Sequence, residues 1–221
     1  MKYPGDDLRR EEQLMSLKWL EWAQQLQAIA QNGLTYSNSP YDVERYKQLQ
    51  LIAADVMATY TQTKPSEILE LFQLEEGYAT PKVDVRGAVF RDNKILLVRE
   101  REDNCWTLPG GWVDIGESPS YAIEREIYEE SGYQAKATKL VAVYDRNHKR
   151  HGHPPFAHHV YKLFFQCELI GGTATASYET TEADFFAEQE IPELSLTRVV
   201  PSQINRLFEH YRDPELKTEF D

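Results

Sequence analysis

The sequence predicts an α+β protein, in which a small all-helical N-terminal region precedes a mixed β-sheet sandwiched by helices. Two observations carry that class. Over roughly the first eighty residues the apolar side chains recur at helical spacing, and beyond a Gly- and Pro-containing linker at 75–82 they fall into short β-rich runs. Within those runs stands one well-bounded helix, with strands before and after it and a last helix behind, an order that suits a sheet covered on both faces. At 221 residues and 41% hydrophobic content, the chain is long enough to bury one large core or two modest ones.

Each element follows in turn. Met15, Trp19, Trp22, Leu26 and Ile29 define one face of a first helix, and Asn32 and Gly33 stop it. A turn at 37–40 leads to a second helix from about Asp42, which carries Leu49, Ile52, Ala53, Val56 and Tyr60. Pro65 and Ser66 introduce a short third helix with Ile68, Leu69 and Phe72, and Ser66 is placed to cap it. The linker divides the chain into a helical region, 1–78, and a β-rich region, 79–221. VRGAVF at 85–90 and KILLVRE at 94–100, joined by Arg91, Asp92 and Asn93, read as a hairpin. A third strand enters through Trp106 and Leu108 ahead of a turn at Pro109, Gly110 and Gly111. Ser118 as N-cap, Pro119 in the first turn and Gly132 as a left-handed stop bound a helix from Ser118 to about Ser131. Runs at 139–144, 159–169 and 183–187 supply further strands, and a helix after Pro201 presents Ile204, Leu207 and Phe208 on one face.

Charge narrows the function classes. A net charge of −12 repels phosphate backbones and anionic membranes at long range, so neither DNA nor a membrane is an expected partner. Residues 1–82 hold eight Lys and Arg against twelve Asp and Glu, a poor grip for nucleic acid. Cys105 and Cys167 make no disulfide framework, and no basic-then-apolar leader or membrane-length apolar run is evident, so a cytoplasmic setting is expected.

The bounded helix carries the chemistry. Glu126, Glu129 and Glu130 stand at i, i+3 and i+4, so their carboxylates share one face with Cβ atoms roughly 5–6 Å apart. Like charges that close either raise a pKa or recruit a cation, and several oxygens suit Mg²⁺ or Mn²⁺. Arg125 can pair with Glu129 or Glu117, while Ala122, Ile123 and Ile127 give the opposite face something to bury. Taken alone, EREIYEE reads as a solvated helix face. Its wider setting changes that reading: residues 111–133, GWVDIGESPSYAIEREIYEESGY, resemble the signature G-x5-E-x7-R-E-U-x-E-E-x-G-U of the Nudix hydrolases. Gly111, Glu117, Arg125, Glu126, Ile127, Glu129, Glu130 and Gly132 match, and only Tyr133 departs, being aromatic at a position that packs.

The resemblance implies an α/β/α sandwich and cleavage of a pyrophosphate with bound Mg²⁺ or Mn²⁺. Glu129 and Glu130 are then the metal ligands, joined by the Gly110 carbonyl, with Glu126 either a third ligand or the general base. Glu117 and Arg125 orient them. Many members of the family draw the base from a distant loop, for which Glu179 and Glu182 are candidates and Glu182 is preferred. Arg99 and the loop DRNHKRHGHPP at 145–155 offer cations for substrate phosphates, the loop through Lys149 and Arg150. That loop reads equally as a solvated connection. The spacing of its histidines matches no closed tetrahedral zinc motif, so zinc is not expected there.

Outside the signature, LKWLEWAQQLQAIAQNGLTYSNSPYDVERY, HVYKLFFQCE and EIPELSLTR together resemble the bacterial subgroup related to CDP-choline pyrophosphatase. That subgroup implies small nucleoside diphosphates linked to another moiety as substrates: CDP-choline split to CMP and phosphocholine, or ADP-ribose to AMP and ribose 5-phosphate. It also implies a homodimer built by the helical region, an inference the apolar stripe fits. Two alternatives stay open, an RNA-end pyrophosphohydrolase or exonuclease-like activity, and a non-catalytic ligand sensor.

Overall fold

Three helices open the described chain, which in this computed structural model comprises residues 18–61 and 63–221. They are α1 (Lys18–Tyr36), α2 (Pro40–Tyr60) and α3 (Pro65–Gln73). Ser39 caps α2 by accepting the Asp42 N–H, with Pro40 in the first turn. α3 starts differently: Lys64 is its N-cap residue and gives no side-chain bond. Ser66, expected as the cap, lies inside the helix, because the fixed φ and missing N–H of Pro65 suit the first helical position and set the start.

Trp19, Leu20 and Ala23 of α1, Ala53, Ala54 and Met57 of α2, and Ile68 and Phe72 of α3 form the core of this helical unit. The expected α1 stripe is only partly buried. Trp19 is inside and Leu26 packs against the core, but Trp22 and Ile29 are 55% and 54% exposed, and Met15 lies outside the described residues. Small residues explain the shift: Ala23, Ala30, Ala53 and Ala54 are buried, and close helix approach at such positions turns bulkier neighbours outward. The unit comprises the described residues to Pro81 together with Pro155–His159, and the Gln24 amide donates to the carbonyls of Phe156 and Ala157 at 3.1 and 3.3 Å.

The second unit, Lys82–Pro154 with Val160–Asp221, is built on one seven-stranded mixed sheet. Its elements are β1 (Lys82–Arg91), β2 (Lys94–Glu100), β3 (Trp106–Thr107), α4 (Pro119–Ser131), β4 (Tyr133–Asp145), β5 (Val160–Gly172), β6 (Thr180–Ala187), α5 (Pro201–Arg212) and β7 (Glu219–Phe220). The strand order is β3-β2-β1-β5-β4-β7, with β6 also paired to β2. β1 runs parallel to β5 and β7 parallel to β4, while the remaining pairs are antiparallel. Asp92 and Asn93, with φ of 52° and 59°, turn the β1–β2 hairpin in the left-handed conformation that two-residue loops require.

Alternation along the strands separates two cores. Val85, Val89, Leu96, Phe165 and Phe185 pack beneath Ala122, Ile123 and Ile127 of α4. On the other face Ala88, Ile95, Leu97 and Phe164 meet Ile204, Leu207 and Phe208 of α5. β4 begins six residues before the apolar run that announced it, since its first half alternates buried Tyr133 and Ala135 with exposed Gln134 and Lys136. β7 escaped the sequence reading because two residues carry no period. Among the described residues, no helix is long and apolar enough to cross a membrane.

Candidate active site

The glycine turn brings backbone against both sheet and helix. Beside β1, Gly87 and Val85 donate to the carbonyls of Pro109 and Gly111, each at 2.9 Å, and Val113 donates to Val83 at 3.1 Å. Between those bonds the Gly110 N–H turns to Glu130 Oε2 at 2.8 Å. Gly110 has φ 141°, and a Cβ there would fall 2.0 Å from the Val85 carbonyl, so no other residue fits. At Gly111 a Cβ would lie 2.9 Å from Glu126 Oε1. Bare backbone is what lets the turn approach the carboxylates.

α4 is held as its sequence requires. Ser118 accepts the Tyr121 N–H, and Gly132 closes the helix at φ 74°. Glu130 is buried at 5% exposure; burial pushes its carboxyl up to about 8, which Arg86 and the Gly110 N–H offset only in part. Burial likewise raises Glu126 above the usual carboxylate range despite Arg125. Arg125 gathers the rest. Its guanidinium grips Glu117 through two bonds of 2.9 Å, and donates to Glu126 at 3.0 Å and Glu129 at 2.9 Å. The bonds from Arg125 hold Glu117 below its ordinary value. Three carboxylates on one helix face, two of them resisting ionisation, form an oxygen donor set that suits a hard divalent cation.

A buried charged layer, which sequence reasoning missed, stands behind the turn. Arg86 donates to both oxygens of Asp84, at 3.0 and 2.7 Å, and to the Leu108 carbonyl at 3.2 Å, while Lys162 closes on Asp84 at 2.5 Å. Burial alone would lift Asp84, but Arg86 and Lys162 outweigh it and hold the carboxyl low. Burial pushes Lys162 down to about 7. Arg86 thus reinforces the turn while its charge reaches Glu130 and Glu100. Glu100, itself buried, pairs with Arg198 at 3.1 Å and stands opposite Thr180, whose hydroxyl donates to the Glu130 carbonyl at 2.6 Å. The available signal was Asp84 and Arg86 two apart in an otherwise apolar strand, with Lys162 inside VYKLFF.

Of the residues singled out from sequence, Gly110, Gly111, Glu117, Arg125, Glu126, Glu129 and Glu130 come together, with Gly132 ending the helix. Arg99 and Glu182 instead pair with each other at 2.8 Å. Being opposite one another and in phase with Ile95 and Phe186, they face the α5 side of the sheet rather than α4. Glu179 is exposed and precedes Thr180, which contacts the end of α4. Arg150 pairs with Asp221 at 2.7 Å and donates to the Phe220 carbonyl, so the structure engages it with the C-terminal strand; Lys149 is exposed in the same loop.

Comparison with known proteins matches two family descriptions: "UDP-X-like, N-terminal oligomerisation domain" over residues 17–72 and "NUDIX domain" over residues 80–207. A Bacillus subtilis (strain 168) protein, YjhB, provisionally named an ADP-ribose pyrophosphatase, is 50% identical over 92% of this chain and 97% of its own. A solved UDP-X diphosphatase is 32% identical over 93% of this chain and 99% of its own, with a TM-score of 0.60. The crystal structure of an ADP-ribose pyrophosphatase from Streptococcus suis 89-1591 is 37% identical over 64% of this chain and all of its own, with a TM-score of 0.59.

Proposed function

The chain belongs to the Nudix family and is a pyrophosphohydrolase, and from that premise we propose that it hydrolyses, with bound Mg²⁺ or Mn²⁺, a small nucleoside diphosphate linked to another moiety. ADP-ribose, UDP-linked compounds and CDP-choline are the substrates to try first, in keeping with the relatives named as ADP-ribose pyrophosphatases and UDP-X diphosphatase. The observation that carries the reading is the buried Glu130, anchored on the Gly110 N–H with Glu126 and Glu129 beside it.

The residues fit a divalent cation. Glu126, Glu129, Glu130 and the Gly110 carbonyl supply only oxygen donors, and Gly111 leaves open the space a Cβ would take beside Glu126. When bound, Mg²⁺ or Mn²⁺ offsets the pyrophosphate charge and eases in-line attack by water. Water then adds to one phosphorus, the bridging P–O bond breaks, and a nucleoside monophosphate leaves with a phosphorylated second product. Arg125 and Glu117 keep the glutamates aimed. The water's proton passes to a carboxylate, Glu126 or Glu179; comparing Glu126→Gln and Glu179→Gln at saturating Mg²⁺, with Glu182→Gln as the control that faces away from α4, picks out the base as the variant with the largest loss of kcat.

Residues 1–78 serve in this reading as a dimerisation region beside the hydrolase region 79–221. Support comes from the matched oligomerisation description and from Trp22 and Ile29, exposed seven residues apart on one face of α1. Lys149 and Arg150, in the loop after β4, remain the candidate phosphate contacts. A substrate panel of ADP-ribose, UDP-sugars, CDP-choline, dinucleoside polyphosphates and 5′-triphosphate RNA tests the proposal. Preferred turnover of a nucleoside-diphosphate-X compound, yielding NMP, supports it, and activity on RNA alone overturns it.

A further inference from the structure

The loop after β4 and the segment after β7 are seventy residues apart in sequence, yet they bring two imidazoles and a carboxylate together. His151 Nε2 lies 3.0 Å from Asp221 Oδ1, and His148 Nδ1 lies 3.9 Å from the same oxygen. One ligand atom from each of the three falls within 4.8 Å of the others. Ligands at zinc–nitrogen and zinc–oxygen bond lengths in a tetrahedron sit about 3.3 Å apart, so side-chain adjustment suffices to close the set.

The surroundings are organised for it. His151 is buried and its ring packs 4.4 Å from that of Tyr144, which holds Nε2 toward Asp221. The second oxygen of Asp221 accepts the Asp145 N–H, which fixes the carboxylate. A cation already answers that carboxylate: Arg150 reaches Asp221 Oδ1 at 2.7 Å. Arg150 has other holds, the Phe220 carbonyl at 3.2 Å and the Tyr144 ring at 5.3 Å, so it can yield the oxygen and stay bound.

We propose that His148, His151 and Asp221 form a second metal site, separate from the α4 carboxylates, taking a borderline transition ion of the zinc class with one position left for water. Two imidazoles and one carboxylate select Zn²⁺, Ni²⁺ or Cu²⁺ over Mg²⁺. The ion clips β7 to the loop after β4. The spacing of the histidines alone matched no zinc motif because the third ligand comes from the far end of the chain. The inference does not depend on the hydrolase reading.

The test is calorimetric titration of Zn²⁺ into tag-free full-length protein in millimolar Mg²⁺, with Co²⁺ absorption as a report on coordination. The expected result is one Zn²⁺ per chain at this site, weakened at least tenfold in H148A and in D221N and unchanged in E129Q. H148A replaces a half-exposed side chain, so the fold is not at stake, and a thermal melt checks each variant. Zn²⁺ binding that persists in H148A and D221N but falls in E129Q assigns the ion to α4 and overturns the proposal, as does no binding at all.

Discussion

Glu130→Gln should abolish turnover and yet strengthen the metal-free fold. The carboxyl is 5% exposed and titrates at about 8, against an ordinary value of 4.5. Between those values the folded state keeps a proton that the unfolded state has released, so stability falls as pH rises through the window. At pH 7 the displacement of some two and a half pH units costs about 3 kcal/mol, at roughly 1.4 kcal/mol per unit. Glutamine removes that titration while keeping an oxygen for the Gly110 N–H. In chelator the variant should therefore gain on the parent by about 3 kcal/mol between pH 4.5 and pH 7. Excess Mg²⁺ should restore the parent by up to about 2.7 kcal/mol at a hundredfold excess over Kd, and the variant much less. Turnover should fall by about 10³ or more, the equivalent of about 4 kcal/mol in the barrier. Urea unfolding followed by tryptophan fluorescence, with and without chelator, reads the first effect, and release of nucleoside monophosphate from the best substrate of the panel reads the second. A variant no more stable than the parent at pH 7 in chelator, or one with turnover within tenfold of normal, would refute the reasoning.

Asp84→Asn should cost about 3 kcal/mol, near the low end for a broken buried pair, because Lys162, at about 7, can shed its proton and leave only Arg86 uncompensated; a loss under about 1 kcal/mol in denaturant titration contradicts the assignment. Gly110→Ala should lower the melting temperature and turnover together, since its Cβ would meet the Val85 carbonyl at 2.0 Å. Gly116→Ala, also at positive φ but with nothing within 4 Å, is the control, and should cost only about 1–2 kcal/mol. His153, buried between the Leu196 carbonyl and Gln203, is held down to about 3. The unfolded chain takes up its proton below about 6.5, so His153 lowers stability as pH falls, by about 2 kcal/mol at pH 5. His153→Gln should flatten that part of the pH profile, and an unchanged profile would remove His153 as its source.

What could be read from the chain was what local geometry decides. Ser118, Pro119 and Gly132 bound α4 because caps and stops act within a turn of helix, and Glu126, Glu129 and Glu130 share a face because helical spacing puts them there. The hairpin at Asp92 and Asn93 and the two families of alternating apolar residues are local in the same sense. Even the glycines of the turn could be flagged, although their reason, the approach of Val85 and Glu126, could not.

Tertiary structure decided whatever depends on register or on distant partners. Strand register turned Arg99 and Glu182 toward each other and away from α4, and it set Lys162 opposite Asp84. Packing on small residues decided which side of α1 is buried and left Trp22 and Ile29 outside. Folding also carried Asp221 to His148 and His151 and gave Arg150 a carboxylate partner. The sequence by itself therefore determined the glutamate-bearing helix and the family, because those rest on contacts between residues a few places apart. Only the fold could choose the companions of that helix, because a one-residue change of register moves a strand's side chains to the opposite face, and no local pattern records which strand will lie alongside.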